Sequence, residues 1–254
     1  MRTARLIVSG GRYVGATLSD WDSKLLGPDG TEYIEEEVTW LPPIAPTKII
    51  GLVLNYADHA DELGLATAED PILFLKPLNT LIGNHGGIIH PNGAKYMHYE
   101  AELGVVIGRQ ARKISANEAF EFVKGYTIAN EVTVRDFITN TFRPPVKAKG
   151  FDTFCPLGPY LVTPDEIEEV SDLEIKTLVN GEIKQKGNTK NLIHPIPKLI
   201  EYITAFMTLE ENDVILTGTP KGISPIVPGD RVDIEIDGLG TLSNTVVPEA
   251  IGKK

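Results

Sequence analysis

The chain of 254 residues contains a single cysteine, Cys155, and this limits its chemistry. One cysteine cannot form a disulfide within the chain or supply the ligands of a cysteine zinc cluster. The sequence also lacks an apolar run close to the roughly 20 residues of a membrane-spanning helix. The apolar part of residues 1–11 is too short for a signal peptide. We therefore expect a cytoplasmic protein without membrane contacts.

Basic side chains are also few. The chain has 24 lysines and arginines against 35 aspartates and glutamates, which gives a formal net charge of −11. This charge argues against nucleic acid or an anionic membrane as the main partner, because both are polyanions. An anionic small molecule would need local positive charge in its site. The length fits one large domain, with or without a small extension.

Residues 1–46 predict a small N-terminal β extension without chemistry of its own. Short strands at 4–8 and 12–16 are joined by two glycines, and a proline-rich link spans 40–46. Proline disfavours both helix interiors and central strands, so this link is a natural boundary. We expect the extension to contribute packing and dimer contacts, and residues 47–254 to form the main domain.

The stretch 98–108 carries the strongest chemical signal. Apolar residues alternate with His98, Glu100 and Glu102, and a wholly apolar run follows. Side chains two residues apart leave the same face of a strand, roughly 7 Å from each other. A divalent cation would remove the repulsion between the two carboxylates, and oxygen ligands favour Mg²⁺, Ca²⁺ or Mn²⁺ over zinc. The alternative is an acidic strand face in solvent. Glu131, on a predicted strand at 126–134, is a candidate third carboxylate.

A short helix predicted after the apolar strand 49–54 carries His59 and Glu62 on one face, three residues apart. A neighbouring carboxylate raises the basicity of an imidazole and fixes its tautomer, so the pair is a candidate for proton transfer. The alternative is an incidental contact on a surface helix. The polar stretch 64–71 is predicted to be mobile, as in a lid.

Two further positions are candidates for binding an anion. Lys149 lies in a glycine- and proline-rich segment, and an apolar surround would lower its pKa. The alternative is an ordinary surface lysine. Thr219 lies in a turn after the apolar strand 214–216, where backbone N–H groups and its hydroxyl would hold a carboxylate.

Elsewhere, the capping-box pattern from Ser115 to Glu118 predicts a helix from about 116 to 123 that ends at Gly125. Residues 197–209 predict an amphipathic helix.

Together these motifs resemble the fumarylacetoacetate hydrolase superfamily over residues 48–247. Each motif alone is weak, but the following five in order are highly specific: Asn55-Tyr56-Ala57-Asp58-His59 with Glu62, Phe74-Leu75-Lys76-Pro77, His98-Tyr99-Glu100-Ala101-Glu102-Leu103, Lys149-Gly150-Phe151-Asp152-Thr153-Phe154, and Thr217-Gly218-Thr219-Pro220-Lys221-Gly222. Within the superfamily, the chain is similar to one copy of the homoprotocatechuate-pathway isomerase/decarboxylases, which often have two.

The resemblance implies an α+β fold, in which a mixed β-sheet roll with flanking helices forms the catalytic domain, usually in a homodimer. It also implies Mg²⁺ or Mn²⁺ held by Glu100, Glu102 and a third acid. Most members have aspartate at that third position, whereas Glu131 matches it here and is one methylene longer.

The resemblance assigns roles to further residues. His59 and Glu62 match an acid/base dyad on the lid, and Lys149 matches a lysine near the metal. The expected substrate-binding residues come from the same motifs: Tyr56, Lys76, Gly218 and Thr219.

The expected reaction follows from how a 2-oxo acid chelates a cation, which stabilises the enolate formed when a proton or CO₂ leaves the neighbouring carbon. We expect isomerisation or decarboxylation of an unsaturated 2-oxo or 2-hydroxy dicarboxylate from aromatic catabolism. Examples are 2-hydroxyhepta-2,4-diene-1,7-dioate and 5-oxopent-3-ene-1,2,5-tricarboxylate. The alternatives are acylpyruvate hydrolysis, oxaloacetate decarboxylation or tautomerisation, and a binding module without turnover. The lid 58–70 and the loop 140–147 are expected to set substrate length.

Overall fold

The computed structural model describes residues 1–21, 24–138 and 144–250. Strands dominate these residues, and they span the following ranges: β1 Arg2–Val8, β2 Arg12–Leu18, β3 Leu25–Leu26, β4 Glu32–Tyr33, β5 Thr39–Leu41, β6 Ile49–Val53, β7 Ile72–Lys76, β8 Leu81–Ile82, β9 Gly87–His90, β10 Met97–His98, β11 Ala101–Ile107, β12 Val123–Asn130, β13 Thr133–Val134, β14 Cys155–Val162, β15 Glu174–Val179, β16 Glu182–Asn188, β17 Val214–Leu216, β18 Arg231–Ile236 and β19 Gly240–Pro248.

The helices are few and short. The α-helices are α1 Ala57–Leu63, α2 Val146–Lys149 and α3 Ile196–Phe206. The 3₁₀ helices span Ser9–Gly11, Glu35–Glu37, Leu78–Thr80, Ala116–Phe122, Arg135–Phe137, Pro164–Glu166, Val170–Asp172 and Thr189–Asn191. Within the described ranges, no helix combines the length and the apolar character needed to cross a membrane.

Two mixed sheets carry the fold. The larger has twelve strands in the order β4-β3-β2-β1-β14-β12-β11-β17-β6-β7, with β5 paired to β1 and β8 to β14. Its neighbours are antiparallel except for β17 with β6 and β8 with β14, which are parallel. The second sheet has the order β16-β15-β18-β19-β9 and contains one parallel pair, β19 with β9. The predicted α+β class with a mixed sheet is confirmed.

The N-terminal strands form part of the larger sheet. The first strand, β1, pairs with β2 along its whole length. It also pairs with β14, which lies far along the chain, at Arg2↔Val162. The two predicted strands are therefore present, each longer than expected. The division of the chain at residue 46 stays a prediction.

The stretch 98–108 is a strand with an interruption. Tyr99 and Glu100 separate β10 from β11, and every residue of β11 is buried. Leu103 and Val105 pack into the main core, whereas Val106 packs into a second cluster on the other face of the strand. Burial on both faces explains why the sequence turns wholly apolar after its alternating start.

Other local predictions fare differently. The amphipathic helix is α3, which buries Leu199, Ile200 and Ile203 as its periodicity predicts. The capping box at Ser115 is present and opens the predicted helix, which is the 3₁₀ helix Ala116–Phe122. The expectation that Gly125 ends this helix is wrong, because Val123 already pairs with β11 and Gly125 lies within β12. A Cβ at Gly125 would lie 2.3 Å from the Val162 carbonyl oxygen, which explains the glycine.

Candidate active site

The buried side chain of Asn55 lies two residues before the start of α1. This side chain is 1% exposed, and its Nδ2 donates to the Thr217 carbonyl at 2.8 Å. Its Oδ1 accepts from the His194 amide at 2.8 Å. Asn55 therefore ties the start of α1 to the turn that follows β17. A Cβ at Gly218, which has a φ of +96°, would lie 2.9 Å from the Asn55 Cβ, so this approach requires glycine.

The predicted dyad on α1 is present. His59 Nδ1 lies 2.9 Å from Glu62 Oε2. The histidine is buried, while the Glu62 side chain is 29% exposed. Because the carboxylate accepts at Nδ1, the proton sits on that nitrogen and Nε2 is the basic one. The acid/base role of the pair stays a prediction.

Three acids converge where β11 begins and its neighbour β12 ends. Glu100 precedes β11, and Glu131 follows its neighbour β12. The pairing of Ala101 with Asn130 brings these two strand ends side by side. The Glu131 amide donates to the Glu100 carbonyl at 2.8 Å. Oxygen atoms of Glu100, Glu102 and Glu131 lie within 4.8 Å of one another. The alternative of an acidic face in solvent is wrong, since these residues are only 5%, 1% and 0% exposed.

Two buried lysines neutralise part of this charge. Lys149 Nζ donates to Glu100 Oε2 at 3.2 Å and also contacts Glu131. Lys76 Nζ donates to Glu131 Oε1 at 2.5 Å and to the Lys149 carbonyl. Lys149 is therefore not a surface lysine. Burial alone would lower the pKa of Lys149, but the carboxylates of Glu100 and Glu131 raise it above its usual value, so the expected lowering is wrong.

The carboxylates differ in their charge balance. Burial alone would raise the pKa of Glu100, but Lys149 and Arg135 lower it to about 2. Arg135 ion-pairs directly with the other oxygen of Glu100. Burial, with the negative charges of Glu131 and Glu100, raises the pKa of Glu102 well above its usual value.

Glu102 is the acid that lacks a cationic partner among the described residues. Its Oε2 accepts a hydrogen bond of 2.6 Å from the Gly218 amide. A buried carboxylate without a compensating charge is costly, and two further carboxylates lie beside it. A divalent cation would supply this charge, and a set of oxygen donors suits Mg²⁺ or Mn²⁺. The three acids thus fit the metal that the sequence predicts.

The predicted substrate-binding residues differ in their surroundings. The Tyr56 hydroxyl is buried without a hydrogen-bond partner among the described residues. Burial and the nearby charge of Glu102 raise its pKa. Thr219 Oγ1 accepts from Gln185 Nε2 at 2.8 Å, so its own hydrogen is available to an anion. The side chain of Lys76 is fully buried against Glu131. Substrate binding by all four residues stays a prediction, and residues 140–143 of the loop 140–147 lie outside the described ranges.

Sequence reasoning missed Arg135 and Gln185 at the site, and it named His98 without giving it a role. Arg135 directly follows β13, which pairs with β10, and it contacts Glu100 just beyond β10. His98 Nδ1 is buried without a partner in the described chain. Burial and the charge of Arg135 lower the His98 pKa to about 4. Gln185 comes from β16 in the second sheet, and no local pattern marks it.

The sequence and the fold match known proteins. The fumarylacetoacetate (FAA) hydrolase C-terminal model matches residues 48–247. A 4-hydroxyphenylacetate degradation bifunctional isomerase/decarboxylase from Salmonella dublin is 47% identical over 211 residues, which are 83% of this chain and 49% of that protein. The chain therefore spans about half the length of that relative.

Two solved structures cover nearly the whole chain. The 5-carboxymethyl-2-hydroxymuconate delta-isomerase from Mycobacterium smegmatis is 41% identical, with a TM-score of 0.86 over 98% of this chain and 100% of that one. The 2-hydroxyhepta-2,4-diene-1,7-dioate isomerase from Mycobacterium marinum is 37% identical, with a TM-score of 0.84 over 98% of this chain and 99% of that one.

Proposed function

The chain belongs to the fumarylacetoacetate hydrolase C-terminal family, and from this premise we propose that it is a divalent-metal-dependent isomerase or decarboxylase. Its substrate would be an unsaturated 2-oxo or 2-hydroxy dicarboxylate of aromatic catabolism. The observation that carries the proposal is the buried cluster of Glu100, Glu102 and Glu131, together with the dyad on α1. The names of the relatives support the substrate class.

The proposed cofactor is Mg²⁺ or Mn²⁺, held by the three acids of the cluster. When bound, such an ion supplies Lewis-acid stabilisation of negative charge on substrate oxygens. Lys149 would offset charge on the anionic substrate, because its raised pKa keeps it protonated at neutral pH. Thr219 would donate its hydroxyl hydrogen to a substrate carboxylate, because a carboxylate only accepts and the Gln185 amide donates to the hydroxyl oxygen.

Proton transfer is proposed for His59. Its Nδ1 hydrogen bond to Glu62 leaves Nε2 to accept a proton from the substrate carbon or to return one. Glu62 would hold the ring and stabilise the imidazolium that forms. The buried Tyr56 hydroxyl, which lacks a partner among the described residues, would donate to the substrate.

A panel of 2-oxo acids tests the proposal. The purified chain is incubated with Mg²⁺ or Mn²⁺ and each acid, while CO₂ release, hydrolysis products and enol–keto absorbance are followed. We expect absorbance change or CO₂ release with the unsaturated dicarboxylates, and its loss after complete chelation. Turnover that survives chelation would contradict the metal assignment. Release of two shorter acids would identify a hydrolase instead.

We also propose a homodimer in the cytoplasm. Supporting observations for a dimer are the exposed apolar side chains Ile72 and Leu75 on β7, which lies at the edge of the larger sheet, and Leu78 just beyond it. Light scattering coupled to gel filtration would test this, and a monomer at micromolar concentration would contradict it.

A further inference from the structure

The helix that carries the dyad has little packing beyond its first half. Within α1, only His59 and Ala60 are buried, and every residue from 61 to 70 is exposed. Glu62 therefore lies on the exposed part of the helix. Because Glu62 orients the His59 ring, the position of that ring depends on whatever holds Glu62 in place.

A backbone amide from another part of the chain holds Glu62. The Gly222 amide donates to Glu62 Oε1 at 2.9 Å, while Oε2 contacts His59. Gly222 has a φ of +106°, and a Cβ there would lie 2.8 Å from the Lys184 carbonyl oxygen. The backbone at Gly222 therefore packs closely against β16, and only glycine fits between the turn and this strand.

The same residue is fixed from its other side by Tyr99. The Tyr99 hydroxyl lies 2.7 Å from the Gly222 carbonyl oxygen and 3.0 Å from Ser224 Oγ. A carbonyl can only accept, so the Tyr99 hydroxyl donates to Gly222 and accepts from Ser224. Tyr99 is 0% exposed and lies directly before Glu100 in the interruption between β10 and β11. The buried segment between β10 and β11, which carries Glu100, therefore also contacts Gly222 through the Tyr99 side chain.

We propose that Tyr99 is a positioning residue for proton transfer. Its hydroxyl fixes the backbone of Gly222 at the carbonyl oxygen, the amide of the same residue orients Glu62, and Glu62 in turn orients His59. As a role in the reaction, this rests on the proposed function of the dyad. Tyr99 itself donates to Gly222 and forms no hydrogen bond with the acids of the cluster. Its loss should therefore slow the proton-transfer step without weakening the binding of metal or substrate.

The test compares Tyr99→Phe with a matched control, Tyr126→Phe. The first change removes only the hydroxyl that reaches Gly222. The second removes a hydroxyl from another buried tyrosine, 3% exposed on β12. Two measurements are made on each protein: amide hydrogen exchange of the peptide covering 57–65, and kcat and KM with the best substrate of the panel.

We expect Tyr99→Phe to exchange the 57–65 peptide roughly threefold to tenfold faster and to lower kcat by a similar factor, which corresponds to the loss of one net hydrogen bond. KM should stay within about twofold, since the Tyr99 hydroxyl contacts Gly222 and Ser224, which are neither proposed metal ligands nor proposed substrate-binding residues. Tyr126→Phe should match the wild type in both measurements. If Tyr99→Phe fails to fold, Ser224→Ala replaces it. This change keeps the Tyr99–Gly222 hydrogen bond but removes the hydroxyl that orients Tyr99 toward it, so we expect the same directions with smaller effects.

Several results would overturn the proposal. Unchanged exchange in Tyr99→Phe would do so, as would faster exchange with an unchanged kcat. Equal effects from Tyr126→Phe would show general loosening of the core. If the wild type turns over no 2-oxo acid, the proposed function fails, while the exchange measurement still decides whether Tyr99 holds the lid.

Discussion

Lys76 and Glu131 form an ion pair of 2.5 Å in which both side chains are 0% exposed. The second oxygen of Glu131 contacts Lys149, and the Lys76 ammonium also donates to the Lys149 carbonyl. A buried pair of this kind is costly to break, because removing one partner leaves the other charged and unsolvated. Lys76 therefore links the third acid of the cluster to the segment that carries Lys149.

We expect Lys76→Met to lower the free energy of unfolding by about 3 kcal/mol, the cost of leaving a buried charge with fewer partners. Urea denaturation measures this change. The matched control is Lys198→Met, whose exposed pair with Glu201 should contribute at most about 1 kcal/mol. Equal losses in the two variants would contradict the structural role of Lys76.

Glu102→Gln should abolish stabilisation by metal without harming the metal-free fold. Glutamine keeps an acceptor for the Gly218 amide and removes a buried charge that lacks a cationic partner within the described residues. In the wild type, Mg²⁺ or Mn²⁺ at a hundred times Kd should add about 2.7 kcal/mol of stability. Thermal unfolding with and without metal measures the effect. Glu182→Gln, at an exposed acid, should respond as the wild type does, and metal-induced stabilisation of Glu102→Gln would contradict the ligand assignment.

His59→Ala should keep metal affinity and lose turnover. The imidazole lies outside the acidic cluster, yet it carries the proposed proton transfer, a function commonly worth about 10²–10⁴-fold in rate. Calorimetric titration with Mn²⁺ and steady-state kinetics separate the two properties. Glu100→Ala is the complementary variant, for which we expect metal binding itself to disappear. Similar activity in both variants would contradict the division of roles.

Glu131→Asp tests the effect of the extra methylene of Glu131, at a position where the resemblance implies aspartate in most family members. The glutamate reaches Lys76 and Lys149 with separate oxygens, and a side chain one methylene shorter cannot keep both contacts at their present lengths. We expect a loss of about 1–3 kcal/mol in the stability of the metal-free protein, from a weakened charged hydrogen bond. Denaturant unfolding in chelator measures this. Unchanged stability would show that the cluster adjusts to either acid.

Local patterns in the sequence predicted much of the site. The spacing of His59 and Glu62 predicted their contact, because a helix places residues three apart on one face. Alternation predicted the inward parity of Leu103 and Val105. Where local and tertiary preferences differed, the prediction was wrong: the helix after Ser115 ends at Phe122 and not at Gly125, because Val123 already pairs with β11.

The sequence by itself determined which residue types are present and which are neighbours along an element, so it predicted the acids, the dyad and the class of chemistry. Only the tertiary structure decided that Arg135 pairs with Glu100, that Lys76 pairs with Glu131, and that the Gly222 amide donates to Glu62. These contacts join residues 35, 55 and 160 positions apart. Their partners are selected by strand register and by burial of charge, and neither is encoded in any short stretch of chain.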